Sequence, residues 1–160
     1  FTNEFFTLNN DGTATALYGA VYKITYSLQF ANTANTAHDA FVWLEVDGGI
    51  LVPRSSTSFT LPPRKSVGNP SYLCAYSEAV FPLNAGEKVA LYWATDKAAV
   101  VSPSADGIYM ENIDAISSPY NRPSAPAAIG SIVFVSALPT PTVTGVYAVG
   151  YVGRVTVSTT

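Results

Sequence analysis

The sequence predicts an all-β fold of the sandwich or jelly-roll type, on three observations. Several stretches alternate apolar and polar residues with a period of two, the mark of a half-buried strand. Ten Tyr, eight Phe and two Trp stand beside eleven Gly and eleven Pro, so strand-favouring residues are broken throughout by turn-favouring ones. No segment keeps the helical apolar period of about 3.6 residues for three turns, so the helical crossovers of a doubly wound α/β fold are missing.

The elements follow in order. Residues 2–8 read as a first strand. In residues 19–30, Tyr22, Ile24, Tyr26, Leu28 and Phe30 fall on one face and Lys23, Thr25, Ser27 and Gln29 on the other. Residues 40–47 place Val42, Leu44 and Val46 on one side and Phe41, Trp43, Glu45 and Asp47 on the other, before Asp47-Gly48-Gly49 turns the chain. Further strands are expected at 56–61, 72–81, 87–95, 129–137 and 145–157, with Asn84-Ala85-Gly86-Glu87 as a tight connection. Residues 62–70 and 119–126 carry three prolines each and read as loops, because proline cannot donate to a ladder. Without a repeat or a dividing linker, 160 residues make one jelly-roll domain over 1–138. Residues 139–160, set off by Pro139 and Pro141, form its final strand or an attachment arm.

Composition excludes several functions. Charged residues are 12% of the chain, half the usual share of about 25%, and the net charge is −3. Eight Lys and Arg give no electrostatic footprint for a phosphate backbone, so no nucleic-acid partner is expected. No apolar run approaches the ~18 residues of a membrane-spanning helix, and no membrane partner is expected. The chain opens on Phe1 rather than Met, which suggests a trimmed N-terminus, and no signal-peptide pattern is visible.

Chemistry-bearing residues are sparse. Cys74 and His38 are the only members of their kinds, so neither a disulfide nor a zinc site can be assembled within the chain. A nucleophilic triad would need His38, with Asp39 beside it, but no G-x-S-x-G elbow presents a serine. Glu45 and Asp47 share a face with Trp43, as carboxylates do in glycosidase clefts and at the solvent end of ordinary strands. Asp11, Asp106 and Asp114 lack EF-hand spacing for calcium. The chain therefore reads as a non-enzyme without cofactor or metal. If Val42, Leu44 and Val46 face the core, Phe41 and Trp43 lie outside, and Tyr92 stands in the same relation to Val89, Leu91 and Trp93. Large aromatics on an outer sheet face mark an interface or a ligand platform, so Phe41, Trp43 and Tyr92 are candidate oligomer contacts. The swapped assignment, with Trp43 in the core, is open at this point.

Residues 20–28, AVYKITYSL, and 83–91, LNAGEKVAL, resemble strands of tumour-necrosis-factor-like and complement-globular-head jelly rolls. Segment order resembles a group of tailed-phage virion proteins: Asn32-Thr33-Ala34-Asn35, then His38 through Gly48, Leu83 through Trp93, and Pro123 through Val135. Ala20, Glu87 and Asp47 depart from that pattern, where the family has Gly, Asp and Asn. The resemblance implies a TNF-like jelly roll and a homotrimer, used as capsid decoration, head fibre or tail-fibre head. It also implies a major capsid or other virion protein as partner, on the capsid surface or tail of a virion assembled in the host cytoplasm. The alternative is a carbohydrate-binding module of a tail fibre, with a host-surface glycan as partner.

Overall fold

In a computed structural model, the described residues are 4–97, 106–115, 117, 121–138, 142–143 and 157–158. They form strands and no helix: β1 (Phe6–Leu8), β2 (Ala14–Ala16), β3 (Ala20–Asn32), β4 (His38–Val46), β5 (Ile50–Leu51) and β6 (Thr57–Leu61). There follow β7 (Ser71–Leu83), β8 (Lys88–Thr95), β9 (Ile108–Met110), β10 (Ala128–Ala137), β11 (Thr142–Val143) and β12 (Val157–Ser158). The first sheet runs β1-β2-β8-β4-β5, with β6 also on β4; the second runs β10-β3-β7, with β9 also on β3. Thr142 and Val143 pair with Ser158 and Val157 in a separate two-stranded ladder. The expected strand at 145–157 otherwise lies outside the described residues.

With the short β5 and β9 set aside, β1 through β10 supply eight strands. A jelly roll pairs its second strand with the seventh, third with sixth and fourth with fifth, and lays the eighth beside the third. Here β2 pairs β8, β3 pairs β7, β4 pairs β6 and β10 pairs β3, all antiparallel. The fold is a jelly-roll sandwich. It departs in one place: β1 pairs β2 instead of continuing the second sheet beside β10. Contact with β10 is kept by side chains, with the Phe5 ring stacked on Phe134 at 5.4 Å between centroids.

The period-two pattern becomes the core. Along β3, Tyr22, Ile24, Tyr26, Leu28 and Phe30 are buried and the intervening residues are half-buried. From the other sheet Ala40, Val42, Leu44, Val46, Leu61 and Val89 meet them. Each fully buried large side chain contributes roughly 1.5–3 kcal/mol, so this interdigitation outweighs any single polar contact. The buried tyrosines keep their hydroxyls bonded: Tyr22 donates to the Tyr18 carbonyl at 2.8 Å and Tyr26 to the Ser55 carbonyl at 3.2 Å. Asp47 and Gly48 both take positive φ, 50° and 70°, as a primed hairpin turn requires. Pro82 lies inside β7, which among the described residues pairs with β3 alone and so forms a sheet edge, where proline is tolerated.

Candidate interaction surfaces

Alternation in β4 decides the aromatic question. Val42 and Leu44 are 0% and 2% exposed, which turns Phe41 and Trp43 to the outer face of the first sheet. Tyr92 of β8 is the register partner of Trp43, and their rings stack at 6.1 Å with 17° between planes. The Trp43 Nε1–H donates to Glu45 Oε1 at 2.8 Å, fixing the indole against the sheet. Phe41 lies along the same strand face, opposite Ala94. All three predicted contact residues thus share one surface, with Phe41 and Tyr92 exposed and Trp43 half-buried by its neighbours.

A second surface escaped the sequence reading. The outer face of the second sheet carries Tyr72, Tyr76 and Val80 from β7 and Ile129 and Val133 from β10, each more than half exposed. Register pairing across β3 gathers these strands: Lys23 lies between Val80 and Val133, and Ser27 between Tyr76 and Ile129. The signal was available as alternation in 72–80, but which face of β7 is buried depends on what packs beneath it. Between them run the polar outward residues of β3, Lys23, Thr25, Ser27 and Gln29, each of them bonded. Lys23 Nζ pairs with Glu78 Oε2 at 2.7 Å, raising the lysine's pKa and lowering the carboxylate's through the hydrogen bond and charge of the pair. Thr25 Oγ1 and Ser131 Oγ are 2.6 Å apart. Cys74 is exposed beside them, its Sγ 3.1 Å from Ser27 Oγ.

The residues weighed for catalysis are each held by other partners. His38 turns its Nδ1 to Asp96 Oδ1 at 3.2 Å and its Nε2 to Thr36 Oγ1 at 2.9 Å, whereas Asp39 accepts the Thr60 hydroxyl. Hydroxyl, imidazole and carboxylate are in relay order, yet none of the three borders the inter-sheet cleft. Glu45 is engaged by Trp43, and Asp47 Oδ1 accepts the Lys88 N–H at 2.9 Å, so they serve the hairpin and the aromatic row. Among the described residues no group of three His, Cys, Asp or Glu is arranged to hold a metal. No helix of the described residues is long and apolar enough to cross a membrane.

Between the sheets, β1, β2 and β8 on one side and β3 and β10 on the other enclose a cleft of about 510 Å³. Its walls are mainly apolar, with Thr25 and Ser131 among the bordering residues.

No family model and no curated protein matches the chain. Solved structures do match, among them "Structure of Eiger TNF from S. frugiperda", at 13% identity and a TM-score of 0.48, covering 86% of this chain and 73% of that one. The jelly-roll assignment rests on the strand order itself.

Proposed function

We propose that the chain is a non-enzymatic structural subunit that assembles as a homotrimer on a phage virion, as capsid decoration or fibre head. The observation that carries the assembly is the outer face of the second sheet, where Tyr72, Tyr76, Val80, Ile129 and Val133 are each more than half exposed on the strands flanking β3. The Phe41–Trp43–Tyr92 row on the opposite face offers a second contact, and closed symmetry lets every protomer use the same surfaces. Threefold order, the capsid or virion partner and the virion location follow the resemblance of 38–48 and 83–93 to tailed-phage proteins. Low charge suits a subunit whose task is packing against copies of itself.

Light scattering on the purified chain tests the reading: three times the protomer mass is expected, and a stable monomer at micromolar concentration refutes it. Val80→Glu or Ile129→Glu should dissociate the trimer without unfolding it, because both side chains already face solvent in the protomer. Trp43→Ala should weaken association by about 2 kcal/mol if the first sheet also takes part. A glycan-binding reading has one observation in its favour: the Trp43–Tyr92 pair beside the Glu45 carboxylate is a platform on which a sugar ring could stack. Glycan-array binding lost in Trp43→Ala, with the mass of the particle unchanged, would select it.

A further inference from the structure

We infer that the inter-sheet cleft is a binding site for an uncharged aliphatic chain. Its origin is the departure from jelly-roll order. Because β1 pairs β2, β10 has only β3 as partner among the described residues. Phe5 on Phe134 closes one end. The sheets meet through their shared core, and the cleft of about 510 Å³ lies beside it, bordered by Leu8 of β1 and Gly130 of β10.

Two residues record the opening independently of its volume. Leu8 shares its strand face with Phe6, yet Phe6 is 4% exposed and Leu8 52%, so the burial of that face ends between them. Gly130 occupies an inner position of β10, opposite Tyr26, in a strand otherwise rich in branched residues. A Cβ added there would have only the Thr25 carbonyl oxygen within 4 Å, at 3.7 Å. Glycine weakens a strand interior and marks places where another group approaches the backbone closely.

Its chemistry selects the ligand. No Asp, Glu, Lys, Arg or His borders it. The polar side chains among its residues are committed elsewhere: Tyr26 donates to the Ser55 carbonyl, and Thr25 and Ser131 bond one another on the outer face. A charge placed inside would find no partner and is excluded by its desolvation cost. The volume lies within the roughly 300–1,000 Å³ of small-molecule sites, and facing sheets about 10 Å apart form a slot suited to an extended chain. A free fatty acid and the acyl chain of a membrane lipid share this chemistry, each leaving its head group at the mouth beside Leu8.

The test uses the full chain and dansyl-undecanoic acid as fluorescent probe, displaced by dodecanoate, with flotation on phosphatidylcholine vesicles as a second arm. Saturable binding reversed by dodecanoate is expected, and Gly130→Leu, which fills the slot, should weaken it at least about tenfold. Leu8→Asn, at an exposed position that folding does not need, should weaken it too. Flotation that Gly130→Leu abolishes assigns the chain to a membrane lipid; displacement without flotation assigns it to a free acid. Absence of saturable binding overturns the inference, as does equal binding by a Gly130→Leu variant whose circular dichroism is native. Self-association that depends on Gly130 without probe binding also overturns it, because a second copy would then fill the cleft.

Discussion

Replacing Ser55 by Ala should destabilise the protein far more than a serine in a short connection ordinarily would. The ladder of β4 changes partner from β6, last paired at Val42 with Thr57, to β5, first paired at Glu45 with Leu51. Leu44 falls in the gap, and its N–H donates to Ser55 Oγ at 3.0 Å while Ser55 Oγ–H donates to the Val52 carbonyl at 2.9 Å. Ser55 and Leu44 are each 2% exposed, so water cannot replace the hydroxyl. An orphaned buried donor costs roughly 1–3 kcal/mol and a carbonyl that loses one of its donors less, which places the loss near 2 kcal/mol. At about 2–4 °C per kcal/mol for a domain of this size, the midpoint of thermal unfolding should fall by about 4–8 °C. Urea unfolding followed by tryptophan fluorescence measures the loss, with Ser131→Ala on the outer face as a control that should change little. Tyr26→Phe should cost about 1 kcal/mol, and because Tyr26 bonds the Ser55 carbonyl, the double variant should depart from the sum of the two losses. A loss below about 0.5 kcal/mol, the range of ordinary surface substitutions, would refute the reasoning.

The Lys23–Glu78 pair sets a pH window. Glu78's pKa is lowered, so its contribution is present above the ordinary carboxylate range and is lost as pH falls through the folded value; Lys23's is raised, so its contribution holds until pH rises through its own folded value. A Lys23→Met, Glu78→Gln double variant should show a flatter dependence of melting temperature on pH at both ends. Tyr109, buried and with its hydroxyl donating to Glu111 Oε2 at 2.8 Å, has its pKa raised first by desolvation and then by that carboxylate. Its stabilising contribution is complete below about pH 10 and declines above it as the unfolded chain ionises. Ultraviolet titration of tyrosinate should therefore find Tyr109 silent until alkaline unfolding, and Tyr109→Phe should move that unfolding to higher pH. Gly86, at φ 89° in the β7–β8 connection, should lose about 1–2 kcal/mol on change to Ala, read from the urea midpoint.

Much of this architecture is local and could be read directly. Alternation at 19–30 and 40–47 assigned Tyr22 to Phe30 and Val42 to Val46 to one face each, because successive strand side chains must point opposite ways whatever packs on them. The same arithmetic set Phe41 and Trp43 on one face of their strand, while the β4–β8 pairing brought Tyr92 beside them; Asp47-Gly48 marked its turn because few other pairs accept positive φ twice. Strands of two or three residues, β2, β5 and β9, went unread, since a period cannot be established over so short a run. Partner choice was also beyond reach: Thr25 meets Ser131 across 106 positions, and nothing in either segment names the other. Ser55 and Asn32 look like surface residues by type, and only the packed structure buries them, Asn32 bonding the carbonyls of Thr36 and Pro62 from within. The inter-sheet cleft belongs to the same class. Gly130 is one letter in a strand until β1 pairs β2 and uncovers the space that its missing side chain leaves. The sequence determined face and turn because those follow from neighbours along the chain; the tertiary structure decided partners, buried polar joints and cavities because those depend on groups brought together only when the sheets close.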